Sequence, residues 1–284
     1  MDSGGALVRQ GVRLGVITPV ATQLPDAHAG WEAEAGIDEM ARIAERADRL
    51  GFDHLTCSEH VAVPPDDAAV RGGTYWDPLA TLGYLAARTQ RIRLATYVLV
   101  LGYHHPLAIA KRYGTLDRVS DGRLVLGVGV GTLEAEFRLL GAPFEGRGAR
   151  ADDALRALRA AWGRREVDHD GSWIVEPHAT NAATPIWVGG RTRRSLRRAV
   201  ELGDGWAPFW LGVDDVAQWL RDVDRPARFE VVGQPGAMVD PSADPDRVDE
   251  LLARWAGAGA TVVDLHLAHR SLAHYLEQLE ALAS

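Results

Sequence analysis

The chain has 284 residues, of which 46% are hydrophobic and 25% are charged, and its formal net charge is −8. This length allows one large domain with a substantial core, and the acidic balance argues against a nucleic-acid partner, because phosphate contacts need a basic surface. A single cysteine, Cys57, excludes an intrachain disulfide and favours a cytoplasmic location, and no apolar run is long enough to span a membrane.

Short apolar segments rich in β-branched residues alternate with longer amphipathic segments along the chain. The short segments predict eight strands, at residues 13–18, 54–58, 92–98, 124–130, 185–188, 205–209, 229–232 and 262–267. The longer segments predict helices at residues 36–50, 77–89, 106–119, 149–163, 193–202, 213–222, 245–258 and 271–282, with another starting near residue 133. Gly51 suits the end of the first helix, and Asp77 with Pro78 suits the start of the second.

Strict alternation of strand and helix indicates a parallel sheet with crossover helices. Eight such units in about 270 residues fit a closed barrel better than an open sheet. We therefore predict an α/β fold, a single (β/α)8 TIM barrel over residues 1–284, with extra loops after strand two and strand four. Loops of such length are more often functional than decorative.

The active site of a barrel lies at the carboxyl ends of its strands. The clearest local pattern there is PIWVGGRTRR at residues 185–194, in which a strand runs into Gly189 and Gly190 and then into a helix with Thr192 as a plausible N-cap. Glycine amides and a helix N-terminus suit an anion, and Arg191 adds positive charge. The segment predicts a phosphate site, with an ordinary strand-to-helix turn as the alternative.

Other strand ends offer weaker signals. The segment LGVGVG at residues 126–131 has G-x-G-x-G spacing, which is not the dinucleotide fingerprint, so Gly129 and Gly131 allow either close packing or a backbone surface for a flat ring. Trp206, with Trp210, places aromatic rings where a heteroaromatic ligand could bind. His60 is either a structural histidine or a functional one.

Together these segments resemble the bacterial-luciferase-like family of flavin-dependent monooxygenases and deazaflavin-dependent oxidoreductases. The matching segments are ERADRLGFD (45–53) leading into SEHV (58–61), PLAIAKRYGTLD (106–117), SDGRLVLGVGVG (120–131), PIWVGG (185–190) and LGDGW (202–206). The resemblance implies a non-prolyl cis peptide at Tyr97–Val98 that supports the cofactor ring. It also implies that the amides of Gly189 and Gly190 hold the cofactor phosphate, and that His60 lies near the redox face.

The overall size and the loop RGGTYWDP (71–78) look closest to the branch that uses coenzyme F420. The resemblance then implies hydride transfer between F420 and a small organic substrate, and a homodimer. Pro64 and Thr132 stand where the sugar-phosphate dehydrogenases of that branch carry a tryptophan and an acid, which argues against a sugar-phosphate substrate. The expected catalytic residues are His60 and Glu136, and the expected cofactor-binding residues are Tyr97, Val98, Gly129, Gly131, Thr132, Gly189, Gly190, Arg191, Thr192 and Trp206.

Three other functions stay open at this point. An FMN-dependent monooxygenase would use the same fold, and a flavin-binding protein without catalysis would share the cofactor site. A metal-dependent barrel hydrolase or isomerase lacks support from H-x-H or H-E-x-x-H spacing, and we expect no metal site. Its ligands would come from Glu59, His60, His104, His105, Glu136, Asp264 and His266.

Overall fold

Eight parallel strands close into a barrel in the computed structural model, which describes residues 6–25 and 27–284. The strands pair in chain order, and β8 pairs back onto β1 with Val263 opposite Leu14. The predicted α/β class and (β/α)8 TIM barrel are confirmed. The barrel strands are β1 (Val12–Val16), β2 (His54–Cys57), β3 (Arg93–Thr96), β4 (Leu124–Gly129), β5 (Ile186–Gly189), β6 (Gly205–Ala207), β7 (Glu230–Gly233) and β8 (Val262–Leu267).

Helices surround the barrel and follow the predicted order. The predicted helices at residues 106–119 and 193–202 match the structure to the residue, because Pro106 occupies the first turn of one and Thr192 caps the other. Within residues 6–25 and 27–284, no helix combines the length and the apolar character needed to cross a membrane. The helices are α1 (Ile37–Leu50), α2 (Pro65–Arg71), α3 (Pro78–Arg88), α4 (Pro106–Val119), α5 (Glu134–Leu139), α6 (Arg147–Ala161), α7 (Arg193–Leu202), α8 (Val213–Arg221), α9 (Pro245–Gly257) and α10 (Leu272–Ala283).

Two predicted loops contain regular structure. After β2, helix α2 begins at Pro65, where a proline is tolerated because the first helical N–H needs no intrahelical partner. The strand Thr74–Tyr75 follows and pairs with Thr22–Gln23, which joins the loops after β2 and β1. After α6, Glu166–Asp168 and Ser172–Ile174 form an antiparallel hairpin. The prolines and polar residues of these segments obscured both features in the sequence.

Side chains alternate between the barrel interior and the surrounding helices along each strand. Trp187, Ala95 and Val232 belong to the interior cluster, whereas their neighbours Val188, Leu94 and Val231 belong to the cluster between strands and helices. The same alternation carries inward-facing positions up to the mouth of the barrel, defined here as the carboxyl ends of the eight strands.

A charged cluster lies inside the barrel below the mouth, and we call it the central charge cluster: Asp53, His54 and Asp264. His54 Nδ1 lies 2.9 Å from Asp53 Oδ2, and His54 Nε2 lies 3.2 Å from Asp264 Oδ1. Burial alone would lower the pKa of His54, but the charge and hydrogen bond of Asp264, followed by those of Asp53, raise it to about 9. His54 is therefore a buried cation held between two carboxylates.

Candidate functional site

The peptide between Tyr97 and Val98 is cis, as the family resemblance implies. The Val98 side chain lies against glycines of two neighbouring strands, since a Cβ on Gly129 would lie 2.7 Å from Val98 Cγ2 and one on Gly189 would lie 2.9 Å from Val98 Cγ1. Gly131, with φ of +76°, is covered by Phe137, whose Cε2 would lie 2.5 Å from an added Cβ. Close packing against side chains therefore accounts for glycine at these positions.

Gly190 lets helix α7 begin close to the end of β5. Its φ of +151° favours glycine, and an added Cβ would lie 2.5 Å from Ser195 Cβ. The Gly190 N–H donates to the Ala207 carbonyl at 3.3 Å, and Gly189 pairs with Ala207 in the β5–β6 ladder. The Gly190 amide is thus used within the sheet.

Arginines line a cavity of about 280 Å³ where the starts of α6 and α7 meet. We call it the arginine cavity, and it is lined by Arg147, Arg194 and Arg198 together with Thr192, Val130, Gly146 and Gly148. The guanidinium groups of Arg198 and Arg194 both approach the Asp152 carboxylate, and Arg147 Nε donates to the Gly131 carbonyl at 3.0 Å, so these residues carry three positive charges against one negative charge. The excess positive charge and the N-terminus of α7 suit a phosphate.

Of the two predicted residues near this cavity, one lines it and the other does not. Thr192 lines it and caps α7 by accepting from the Ser195 N–H at 3.1 Å. Arg191 instead lies over the Trp210 ring, 5.0 Å from its centroid. Arg147 and Arg198 were not predicted as site residues, although the spacing of Arg194 and Arg198, one helical turn apart on α7, could have indicated Arg198.

His60 and Glu136 are in direct contact. His60 Nδ1 lies 2.6 Å from Glu136 Oε2, and the Tyr103 hydroxyl donates to the same oxygen at 2.7 Å. The other oxygen, Oε1, accepts the Val61 N–H at 2.5 Å and the Ala62 N–H at 3.2 Å. Burial alone would raise the pKa of Glu136, but the hydrogen bonds from His60 and Tyr103 outweigh it, so the pKa lies below its ordinary value.

These contacts assign different roles to the two expected catalytic residues. The Glu136 side chain is wholly buried and its oxygens are occupied by donors, so it is placed to orient His60 and the loop after β2. An ionised carboxylate only accepts, so His60 donates to it through a proton on Nδ1. The His60 side chain retains 17% exposure, which leaves it the accessible member of the pair.

We expect Glu136→Gln to disturb the tautomer of His60 and to lower the free energy of unfolding by about 2 kcal/mol, because a buried amide cannot accept from every donor that Glu136 now satisfies. Histidine ring ¹⁵N shifts report the tautomer, and urea unfolding reports the stability. Glu134→Gln is the matched control, since Glu134 lies on the same helix but is exposed and pairs only with Arg138 at 3.3 Å among the described side chains. Unchanged His60 shifts in Glu136→Gln would contradict the assignment.

Glu59 and His104 form a separate pair at the mouth. Glu59 Oε1 lies 2.6 Å from His104 Nε2, and Glu59 Oε2 accepts the Val100 N–H at 2.6 Å. His105 caps α4 by accepting the Leu107 N–H at 3.2 Å. Over the part of the chain that the structure describes, no three His, Cys, Asp or Glu side chains converge in a way that could hold a metal ion.

Two other predicted cofactor residues have protein partners. Trp206 points away from the barrel interior, has no exposed surface and stacks on Trp219 with ring centroids 6.0 Å apart, so neither face of its ring is free for a ligand. The sequence placed Trp206 on a strand at the mouth, but the alternation along β6 turns it outward. Thr132 Oγ1 accepts from Arg71 Nη1 at 3.1 Å, which attaches the loop after β2 to the end of β4.

A second cavity, of about 80 Å³, lies at the mouth beside Tyr97. We call it the mouth cavity. The ends of β1, β2, β3, β7 and β8 contribute to it, as does the loop after β1. The sequence analysis did not identify this cavity, because its walls come from segments more than 200 residues apart in the chain, such as Thr18 and His266.

Comparison with known proteins relates the whole barrel to one family. The luciferase-like monooxygenase family model matches residues 12–281. An uncharacterized protein of Mycobacterium tuberculosis is 31% identical over 283 residues, covering 88% of this chain and 95% of the relative. An F420-dependent glucose-6-phosphate dehydrogenase of Nakamurella multipartita is 31% identical over 193 residues, covering 64% of this chain and 56% of the relative.

A solved structure supports the same fold. It is a type II Baeyer-Villiger monooxygenase of Pseudomonas putida in complex with FMN, which superposes with a TM-score of 0.68 at 16% identity over 96% of this chain and 97% of the other. At that identity the likeness concerns the fold alone. The family match therefore carries the functional comparison.

Proposed function

This chain belongs to the luciferase-like monooxygenase family, and from that premise we propose that it is an oxidoreductase that transfers a hydride between coenzyme F420 and a small organic molecule. The observation that carries the proposal is the arginine cavity, which lies at the carboxyl ends of β4 and β5. A barrel enzyme binds its ligands at that end of the sheet. A cavity with excess positive charge there is suited to the phosphate that F420 carries.

The donor set fits such a cofactor. Arg147, Arg194 and Thr192 would hold the phosphate, while Arg198 is fixed by Asp152 and by the Gly148 carbonyl at 2.9 Å. When bound, F420 supplies the carbon that accepts or donates the hydride, and the protein supplies orientation and electrostatics. His60 is our candidate for the proton-handling group beside the ring, with Glu136 holding its orientation.

The charge around α7 favours F420 over FMN. F420 carries acidic glutamate groups beyond its phosphate, whereas the FMN phosphate is terminal. An acidic tail would meet a basic surface here although the chain as a whole is acidic, with a net charge of −8. That surface is made by Arg191, Arg193, Arg194 and Arg197, which are exposed and lie within seven residues around the start of α7.

An FMN-dependent monooxygenase is the second candidate. The arginine cavity suits the FMN phosphate as well, and the matching family is described as monooxygenases. The two candidates differ in which cofactor binds and in whether oxygen is consumed.

We expect Arg194→Gln to weaken F420 binding by about 10- to 100-fold, because a hydrogen bond to a charged group contributes about 1.5–3 kcal/mol. Fluorescence titration of the purified protein with F420 and, separately, with FMN measures the effect. Arg156→Gln is the matched control, since Arg156 lies on α6 outside the cavity and forms an exposed ion pair with Asp153. Tight binding of FMN alone would select the second candidate, and binding of neither cofactor would refute both.

A further inference from the structure

Three aromatic rings lie between the arginine cavity and the His60–Glu136 pair, and we call them the aromatic row: Tyr103, Phe137 and Phe144. The ring centroids of Tyr103 and Phe137 are 4.8 Å apart, and those of Phe137 and Phe144 are 5.3 Å apart, both in edge-to-face geometry. Aromatic pairs in this geometry attract each other beyond the effect of the apolar area that they bury. The aromatic row is therefore one continuous set of contacts.

At one end the aromatic row meets Arg147, which lines the arginine cavity. The Arg147 guanidinium carbon lies 3.7 Å from the centroid of the Phe144 ring, and Arg147 Nε donates to the Gly131 carbonyl at 3.0 Å. Within the described chain neither Nη1 nor Nη2 of Arg147 forms a hydrogen bond, so both can donate to an anion in the cavity.

At the other end the aromatic row meets Glu136. The Tyr103 hydroxyl donates to Glu136 Oε2, the same oxygen that lies against His60 Nδ1. Phe137 directly follows Glu136 on α5, a helix of six residues. A helix this short is not stable by itself and depends on its tertiary contacts, so a shift of the Phe137 ring moves Glu136 with it.

Phe137 is the middle ring, and it is tightly enclosed. It is buried, and a Cβ on Gly102 would lie 2.6 Å from Phe137 Cε1, while one on Gly131 would lie 2.5 Å from Cε2. An interior packed this closely transmits a displacement instead of absorbing it. A movement of Phe144 is therefore passed on to Tyr103 and to α5.

An anion bound in the arginine cavity would act on the Phe144 end of the aromatic row. A charge-assisted hydrogen bond to a phosphate is stronger than a cation–π contact at a partly exposed ring, so the anion decides where the Arg147 guanidinium lies. Phe144 is half-buried, so its ring has room to adjust when the guanidinium moves.

We propose that Phe137 is a positioning residue, which transmits occupancy of the arginine cavity to the orientation of His60. This rests on the proposed function, in which a cofactor phosphate fills that cavity and His60 handles the proton. The proton-handling group then takes its working orientation only after the cofactor is bound. The contacts that carry the effect run from Arg147 through Phe144, Phe137, Tyr103 and Glu136 to His60.

Inorganic phosphate is the first probe, added to the purified protein in a phosphate-free buffer while long-range ¹H–¹⁵N spectra follow the histidine rings. We expect saturating phosphate to move the ring ¹⁵N shifts of His60 but not those of His274, which lies on α10 beside Asp240. Phe144→Leu should bind phosphate within about fivefold of the native affinity but lose most of the His60 response. Phe209→Leu is the matched control, since it alters a half-buried ring after β6 and should keep the full response.

Coupling between two sites is reciprocal, so it can also be measured from the Glu136 end. Glu136→Gln should weaken phosphate binding about threefold in the native chain and by much less in the Phe144→Leu background, as isothermal titration calorimetry measures. Glu134→Gln, at an exposed site on the same helix, should leave phosphate affinity unchanged.

Phosphate binding that leaves His60 unmoved would overturn the proposal. An equal His60 response in Phe144→Leu would overturn it as well, because the phosphate would then act on His60 through space. Failure of the proposed function is distinguishable, because F420 and FMN are titrated separately. Coupled phosphate binding without binding of either cofactor would keep the positioning role and remove the oxidoreductase. Cofactor binding without a His60 response would do the reverse, and absence of any anion binding would overturn both.

Discussion

Gly15→Ala is expected to lower the free energy of unfolding by about 4 kcal/mol, because the new methyl group would enter the central charge cluster. A Cβ at this position would overlap Asp264 Oδ1 and His54 Cε1, and would lie 2.8 Å from His54 Nδ1. Both side chains are wholly buried and hold each other in place, so neither can move aside without breaking an ion pair. Loss of that pair adds to the cost of overpacking.

Equilibrium unfolding in urea measures this effect. Gly83→Ala makes the same chemical change within helix α3, where an added Cβ meets nothing within 4 Å among the described atoms. There alanine should stabilise the protein by up to about 1 kcal/mol, because it is the better helix former. Similar stability in the two variants would show that the central charge cluster tolerates displacement.

His54→Leu should cost about 3–5 kcal/mol near neutral pH, since it leaves the carboxylate of Asp264 buried without its cation, whereas Asp53 keeps its ion pairs with Arg13 at 2.7 Å and Arg93 at 2.5 Å. Asp264→Asn added to His54→Leu should recover part of the loss, because it removes the uncompensated charge. A double variant no more stable than His54→Leu would contradict this account.

The pH dependence of stability gives a second readout for His54. Its pKa is raised from an ordinary value of 6.5 to about 9 in the folded protein. Between those values the folded state binds more protons than the unfolded state, so its contribution is complete below pH 6.5 and is lost as pH rises through 9. Urea unfolding across this range should show a decline in the native chain that His54→Leu lacks.

The strand order could be predicted from the sequence because it depends on local periodicity. Each barrel strand is a short apolar run, and its partner is the next run along the chain. Helix α2 could not be predicted in the same way, since none of its residues is buried and it therefore carries no apolar stripe. Exposed short helices depend on tertiary contacts, here the attachment of Arg71 to Thr132.

The candidate site was predictable only in part, for a related reason. His60 and Glu136 were identified from strand ends, but their 2.6 Å contact joins residues 76 apart and is visible only in the folded chain. Arg147 joins the arginine cavity because α6 begins beside α7, which no local pattern encodes. Trp206 was assigned to the wrong face of β6. Successive residues of a strand face opposite sides, so an error of one residue places a core side chain at a ligand site.

Buried glutamates also determine which part of the mouth can move. Glu32 holds the loop after β1, Glu59 holds the backbone at Val100 after β3, and Glu136 holds the loop after β2. On this side of the mouth, the loops are clamped by these hydrogen bonds. They can move apart only if several carboxylates release the backbone N–H groups together. The segment 208–212 after β6 has no such clamp within the described chain, so we expect ligand traffic to pass on that side.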